Sequence, residues 1–250
     1  MSELAGVESF STLPNYFKSR GTEKLCFVDT TVLFAETYPL DAFHDETVVV
    51  FDLLSKAGVS VFTNVNVRAE FLENHRRVLI AECLIDLLED QGSELDGLLV
   101  EKLKAHRTSF RRKVSEQKSA KIDIQQIKMF MHLLKSHRGK SGDAWEFFCR
   151  DRLLGQMERI WDMAEEELGL NFISLRSDYS SPFLNQIPDW RDATVLIGKY
   201  GIASADAMIL NMFLCSKIPV LLTADLEMAE VASKESKVAK KIFVPDSTLA

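Results

Sequence analysis

The chain has 250 residues, 46% of them hydrophobic and 27% charged, with a net charge of −7. Those values fit an ordinary globular protein long enough to bury a real core, as one large domain or two small ones. No apolar run approaches the roughly 20 residues of a membrane helix, and the opening MSELAGVESFSTLPNYFKSR lacks a basic-then-apolar leader. No membrane partner and a cytoplasmic location are therefore expected.

In chain order, KLCFV reads as a first strand, and DETVVVFDLLSKAG as a helix with an acidic first turn and Gly58 at its C-terminal cap. VSVFT, rich in β-branched residues, is a second strand, and NVNVRAEFLENHRRVLIAECLIDLLED a long helix. From about Gly92 to Gly169 no strand is evident. SELDGLLVEKLKAH, IDIQQIKMFMHLLKS and GDAWEFFCRDRLLGQMERIWDMAEEELG all carry apolar residues at helical spacing. The last predicts one stripe containing Phe147, Phe148, Leu154, Met157, Ile160, Trp161, Ala164 and Leu168.

Alternation then resumes. LNFISL is a strand, DWRDATVLIGKYG a helix closed by Gly201, and SADAMILNMFLCSK a helix with Ser204 as its expected N-cap. IPVLLTAD is a strand, LEMAEVASKE a helix and KKIFVPD a last strand. This pattern predicts an α/β fold with a mainly parallel central sheet flanked by helices. The expected division is a core over 24–91 and 170–246 with a helical insertion over 92–169, all in one domain spanning 1–250. The cysteines Cys26, Cys83, Cys149 and Cys215 lie far apart in apolar or helical contexts and read as buried thiols.

In open parallel sheets, ligands gather outside the carboxyl ends of the strands, so acids just past strand ends are informative. Asp29 follows LCFV directly, and Asp225 follows VLLTA with Glu227 two residues on. Asp206 falls in the first turn of its helix, where the dipole favours a carboxylate, and Glu70 near the start of the helix after the second strand. Taken singly, each has a structural reading. Asp29 could cap a helix over TTVLFAET, Asp206 could answer a helix dipole, Glu70 could be solvated, and Asp225 with Glu227 could open a helix. Taken together, converging carboxylates repel and need a cation. Oxygen donors without a nearby His or Cys point to Mg²⁺ or Mn²⁺ and to phosphoryl chemistry. His44, His75, His106, His132 and His137 are scattered and read as surface or packing residues.

The stretches FVDTTVLF, TNVNVRAEFL, GIASADAMIL and VLLTADLEM, in that order, resemble the successive motifs of PIN-domain ribonucleases, including VapC-like toxins. The resemblance covers about residues 24–75 and 190–246. It implies a PIN-like fold and Mg²⁺- or Mn²⁺-dependent hydrolysis of single-stranded RNA by an activated water. Asp29, Glu70, Asp206 and Asp225 match the family's metal-binding acids, with Glu227 as a supplementary ligand. Thr30, Thr31 and Thr223 match its carboxylate-positioning residues. An RNA substrate is implied, with a protein inhibitor or antitoxin and a homodimer as further candidates. The long helical insertion and the leading segment depart from compact members of the family.

Charge is unevenly distributed. Residues 101–140 hold twelve Lys or Arg against three acids, leaving −16 for the rest of the chain. Within KLKAHRTSFRRKVSEQKSAK, the residues Arg107, Arg111, Arg112 and Lys113 are candidate RNA contacts, beside the alternative of a solvated helix face. The competing functional readings are a non-catalytic RNA- or protein-binding module and a DNA-directed nuclease with the same metal chemistry.

Overall fold

The structure is a computed structural model and describes residues 6–19, 24–136, 144–174, 181–236 and 240–249. Its strands are β1 (Val7–Ser9), β2 (Leu25–Val28), β3 (Ser60–Asn64), β4 (Leu170–Ile173), β5 (Val220–Leu222) and β6 (Lys241–Val244). They form a single sheet in the order β1-β6-β5-β2-β3-β4, every pair parallel. The expected α/β architecture with a parallel sheet flanked by helices is the observed one. β2, β5 and β6 are almost wholly buried, which is why LCFV, VLL and KIFV are near-continuous apolar runs rather than alternating ones.

Two compact units divide the chain. The first comprises 1–39, 43–71 and 164–250; the second comprises 40–42 and 72–163. The sequence boundary at Gly92 is therefore displaced to Phe71, inside the helix Val65–Gln91. The reason is packing. Leu79, Ile80, Cys83, Leu84, Leu87 and Leu88 of that helix belong to the core of the second unit, with Leu99, Leu103, Ile127, Phe130 and Phe148. The leading segment is not a mere extension either, because Val7–Ser9 adds β1 to the edge of the sheet beside β6. Three residues are too few for their periodicity to show.

Other expectations shift locally. The stretch 142–169 is not one helix: it turns at buried Leu153 between helices Ala144–Arg152 and Leu154–Leu168. The turn rotates the apolar stripe, burying Phe148 and Trp161 but leaving Phe147 and Leu154 exposed. Cys26, Cys83 and Cys215 are buried free thiols, while Cys149 is only partly buried. Gly58 and Gly201 follow helices in the left-handed conformation, as their cap assignments require. No described helix is long and apolar enough to cross a membrane. His137 and Leu175, read as a surface or packing residue and as the last strand residue, lie outside the described residues.

Candidate metal centre

The sheet order creates a switch point. From β2 the chain builds outward to β3 and β4, then returns to the other side of β2 at β5. Crevices form outside the carboxyl ends of two strands whose connections depart in opposite directions. Asp29 and Thr223 lie at this one. Val28 pairs with Leu222 in the β2–β5 register, and the Asp29 N–H donates to the Leu222 carbonyl at 2.9 Å.

Asp29 is 1% exposed and caps the helix Thr30–Thr37. Its Oδ1 accepts the Thr30 N–H at 2.6 Å, while Oδ2 accepts the Thr31 hydroxyl at 2.7 Å and the Thr223 hydroxyl at 2.9 Å. Each threonine hydroxyl is held in turn, Thr31 by the N–H of Ala224 and Thr223 by the N–H of Asp225. The two hydroxyls thereby tie Asp29 to the loop carrying Asp225. Burial still pushes the Asp29 carboxyl above its ordinary pKa, against the lowering effect of these donors.

Thr30 reaches the opposite way. Its hydroxyl donates to Glu70 Oε2 at 2.9 Å, so neighbouring threonines position two different acids. Burial raises the Glu70 pKa, and Asp29 and Asp225 push it further. Asp225 caps the helix Leu226–Glu235 by accepting the Met228 N–H at 3.1 Å, and Glu227 is exposed in the first turn of that helix.

Asp206 is the third residue of the helix Ser204–Cys215. The cap of that helix is Ala203, which supplies no side-chain bond, and not Ser204 as the sequence suggested. Asp206 accepts no hydrogen bond from a described residue. Burial, and then the charges of Glu70, Asp29, Asp225 and Glu227, raise its pKa to about 7. All five acids therefore act within one electrostatic neighbourhood, and no cationic side chain is among the groups that shift Asp206.

No family model, curated protein or solved structure matches the chain. The residues themselves must decide what the cluster can hold. Among the described residues, no three His, Cys, Asp or Glu side chains are grouped so that they could hold a metal ion. The donor chemistry nevertheless suits a hard divalent ion. The set is all-carboxylate, mutually repelling, partly desolvated and positioned by threonines. Among the described residues, Asp29 Oδ1 accepts one hydrogen bond and keeps a lone pair, Glu70 is already oriented, and the Asp206 carboxylate has no competing hydrogen bond.

One residue of this edge was assigned elsewhere by sequence. Asn64 was read as the start of the long helix, but it ends β3 and accepts the N–H groups of Asn66 and Val67 at 3.0 Å each. Continuing the β2–β3 register brings it beside Asp29. Its side-chain NH₂ is fully buried without a partner, although Asn is a favoured cap and the preceding VSVFT already marked a strand end.

The basic candidates belong to the second unit, on the helix Gly97–Ser115. Arg111 bonds Glu89 at 3.2 Å and Arg107 lies 4.0 Å from the same carboxylate. Lys113 reaches the Lys121 carbonyl at 3.5 Å, and Arg112 is exposed. These four side chains do not converge on one point, and two of them share an acid.

Proposed function

We propose that this chain is a PIN-like, metal-dependent endoribonuclease, with Asp29, Glu70, Asp206 and Asp225 as principal Mg²⁺ or Mn²⁺ ligands and Glu227 as a supplementary one. The observation that carries the reading is Asp206. It is a half-buried carboxylate without a hydrogen-bond donor among the described residues, raised to about 7 by burial and four neighbouring acids. Folding assembles that repulsion at the switch point of the sheet, where a bound cation offsets it.

The carboxylates of Asp29, Glu70, Asp206 and Asp225 would hold a divalent ion, which when bound would supply water activation and charge neutralisation at a phosphodiester. The protein's part is positioning. Thr31 and Thr223 fix Asp29 between the β2 and β5 ends, and Thr30 fixes Glu70. Without a cation, Asp206 holds a proton near neutral pH, and that proton must leave before the carboxylate can ligate. Arg107, Arg111, Arg112 and Lys113 are proposed to contribute the salt-sensitive part of RNA affinity as separate charges, Arg111 and Arg112 exposed and Arg107 and Lys113 partly so, rather than as a preformed phosphate cradle.

A non-catalytic binding module is the second reading. It draws support from Asp29 and Asp225, each of which also does the ordinary work of a helix cap. Capping leaves Asp206 unexplained. The deciding experiment incubates purified protein with single-stranded RNA or DNA in Mg²⁺, Mn²⁺ or EDTA. RNA cleavage that is lost in EDTA and in Asp29→Asn is expected. Binding without cleavage in every condition would favour the module, and preferential cutting of DNA would change the substrate class.

A further inference from the structure

At the opposite edge of the same sheet, the α/β unit carries a groove of about 480 Å³ lined by Pro14, Phe17, Val49, Leu53 and Ala57, with Lys18, Lys24, Asp52 and Lys56 around it. Its walls are the helices Leu13–Ser19 and His44–Lys56. Lys24 immediately precedes β2, whereas Asp29 follows that strand, so the groove and the carboxylates lie at opposite ends of it. Val49 and Leu53 stand one helical turn apart, and Val49 is 64% exposed. An apolar groove between two helices suits the helix-in-groove mode of recognition, in which the incoming helix supplies the anchors at three- and four-residue spacing.

The rim selects the partner's charge. Three lysines face one aspartate, on a chain whose charge outside residues 101–140 is −16. Lys24 donates to the Ala57 carbonyl at 2.9 Å and Lys56 to Asp52 at 2.5 Å. Each ammonium retains donors beyond those bonds, and the Lys18 ammonium makes no hydrogen bond or ion pair with a described residue. Helix C-termini attract lysines for dipole reasons alone, which accounts for Lys18 and Lys56. Lys24, although at a strand start, answers the same kind of terminus through the Ala57 carbonyl that caps the helix His44–Lys56, so the dipole leaves unexplained only the apolar floor between the three lysines.

We propose that this groove docks an acidic amphipathic helix of a partner protein, with apolar side chains against Pro14, Val49 and Leu53 and carboxylates against Lys18, Lys24 and Lys56. Because the groove lies at the far end of β2 from Asp29, such a partner tethers the protein without covering the carboxylates. The inference does not depend on the nuclease reading.

The test uses the full chain and two dye-labelled helical peptides, one with leucines on one face and glutamates on the other, and a second with every glutamate replaced by lysine. By fluorescence anisotropy, the acidic peptide is expected to bind at least about tenfold more tightly, with affinity falling as salt rises. Val49→Glu and the double variant Lys18→Glu/Lys56→Glu should each weaken it by about tenfold, while circular dichroism and any RNA cleavage stay unchanged. Equal binding of the two peptides, or acidic-peptide binding unaffected by Val49→Glu, would overturn the proposal. So would sedimentation showing a wild-type dimer that Val49→Glu converts to monomer, because the occupant would then be a second copy of this chain.

Discussion

The α/β unit and the helical unit handle charge in opposite ways. On the helix Gly97–Ser115 the basic side chains are largely solvated, and several have a nearby carboxylate or carbonyl: Arg107 and Arg111 turn to Glu89, and Lys113 to Lys121. Surface pairs of that kind contribute about 0–1 kcal/mol each and need no ligand to explain them. At the β2–β5 switch point the charges share one sign, are partly withdrawn from water, and raise the pKa of Glu70 and Asp206. A satisfied surface charge is compatible with many functions. A half-buried carboxylate without a hydrogen-bond donor among the described residues is stabilised by a counter-ion, and for that reason the proposed metal centre bears more of the functional reading than the basic helix does.

The sharpest way to break this contrast is to remove one charge from the acidic edge. Asp29→Asn keeps a capping oxygen for Thr30 and should lower metal-dependent RNA cleavage by at least ~100-fold, measured in single-turnover assays with Mn²⁺. Asp206→Asn should cause a comparable loss and also separate stability from function. A carboxyl raised to about 7 in the folded state binds its proton more tightly than in the unfolded chain. Its contribution to stability is therefore greatest below the ordinary carboxylate range and is lost as pH rises toward 7. Urea denaturation of the metal-free protein at pH 8 should thus find Asp206→Asn more stable, by about 1 kcal/mol once solvent screening of a half-exposed group is allowed for.

Thr30→Val tests positioning without changing charge. Losing the bond to Glu70 should weaken Mn²⁺ affinity by about tenfold at nearly unchanged fold, read by calorimetric titration. The smallest effects belong to the helical unit. Arg111→Glu with Arg112→Glu should lower RNA affinity and reduce the slope of log affinity against log salt by about 1–2, in a filter-binding series. Stability should move by less than about 1 kcal/mol, since these groups are exposed. An unchanged salt slope would return the basic helix to a purely solvated role.

Much of this contrast was legible in the sequence. LCFV, VSVFT, VLL and KIFV announce buried parallel strands because such strands are apolar on both faces, whereas LNFI, at the sheet edge, exposes its two central residues. The acids were found because strand ends are readable and Asp29 and Asp225 follow theirs within a few residues. Other features depend on tertiary packing and left no local trace. β1 is three residues long and exists only by pairing with β6. The boundary at Phe71 is set by which residues of one continuous helix touch the second core. Asn64 looked helical because cap and first turn share a sequence signal, and only the β3 register identifies it as the residue beside Asp29.

Direct Mn²⁺ binding at two pH values tests the central claim. Calorimetric titration in buffers of different ionisation enthalpy reports both affinity and protons released. Wild-type protein should bind Mn²⁺ more tightly at pH 8 than at pH 6 and release part of a proton near neutrality, as Asp206 ionises to receive the ion. Asp206→Asn should bind more weakly and lose most of that release. Mn²⁺ binding that is absent, or identical in wild type, Asp29→Asn and Asp206→Asn, would contradict a metal centre at this edge and leave these acids as helix caps and surface charges.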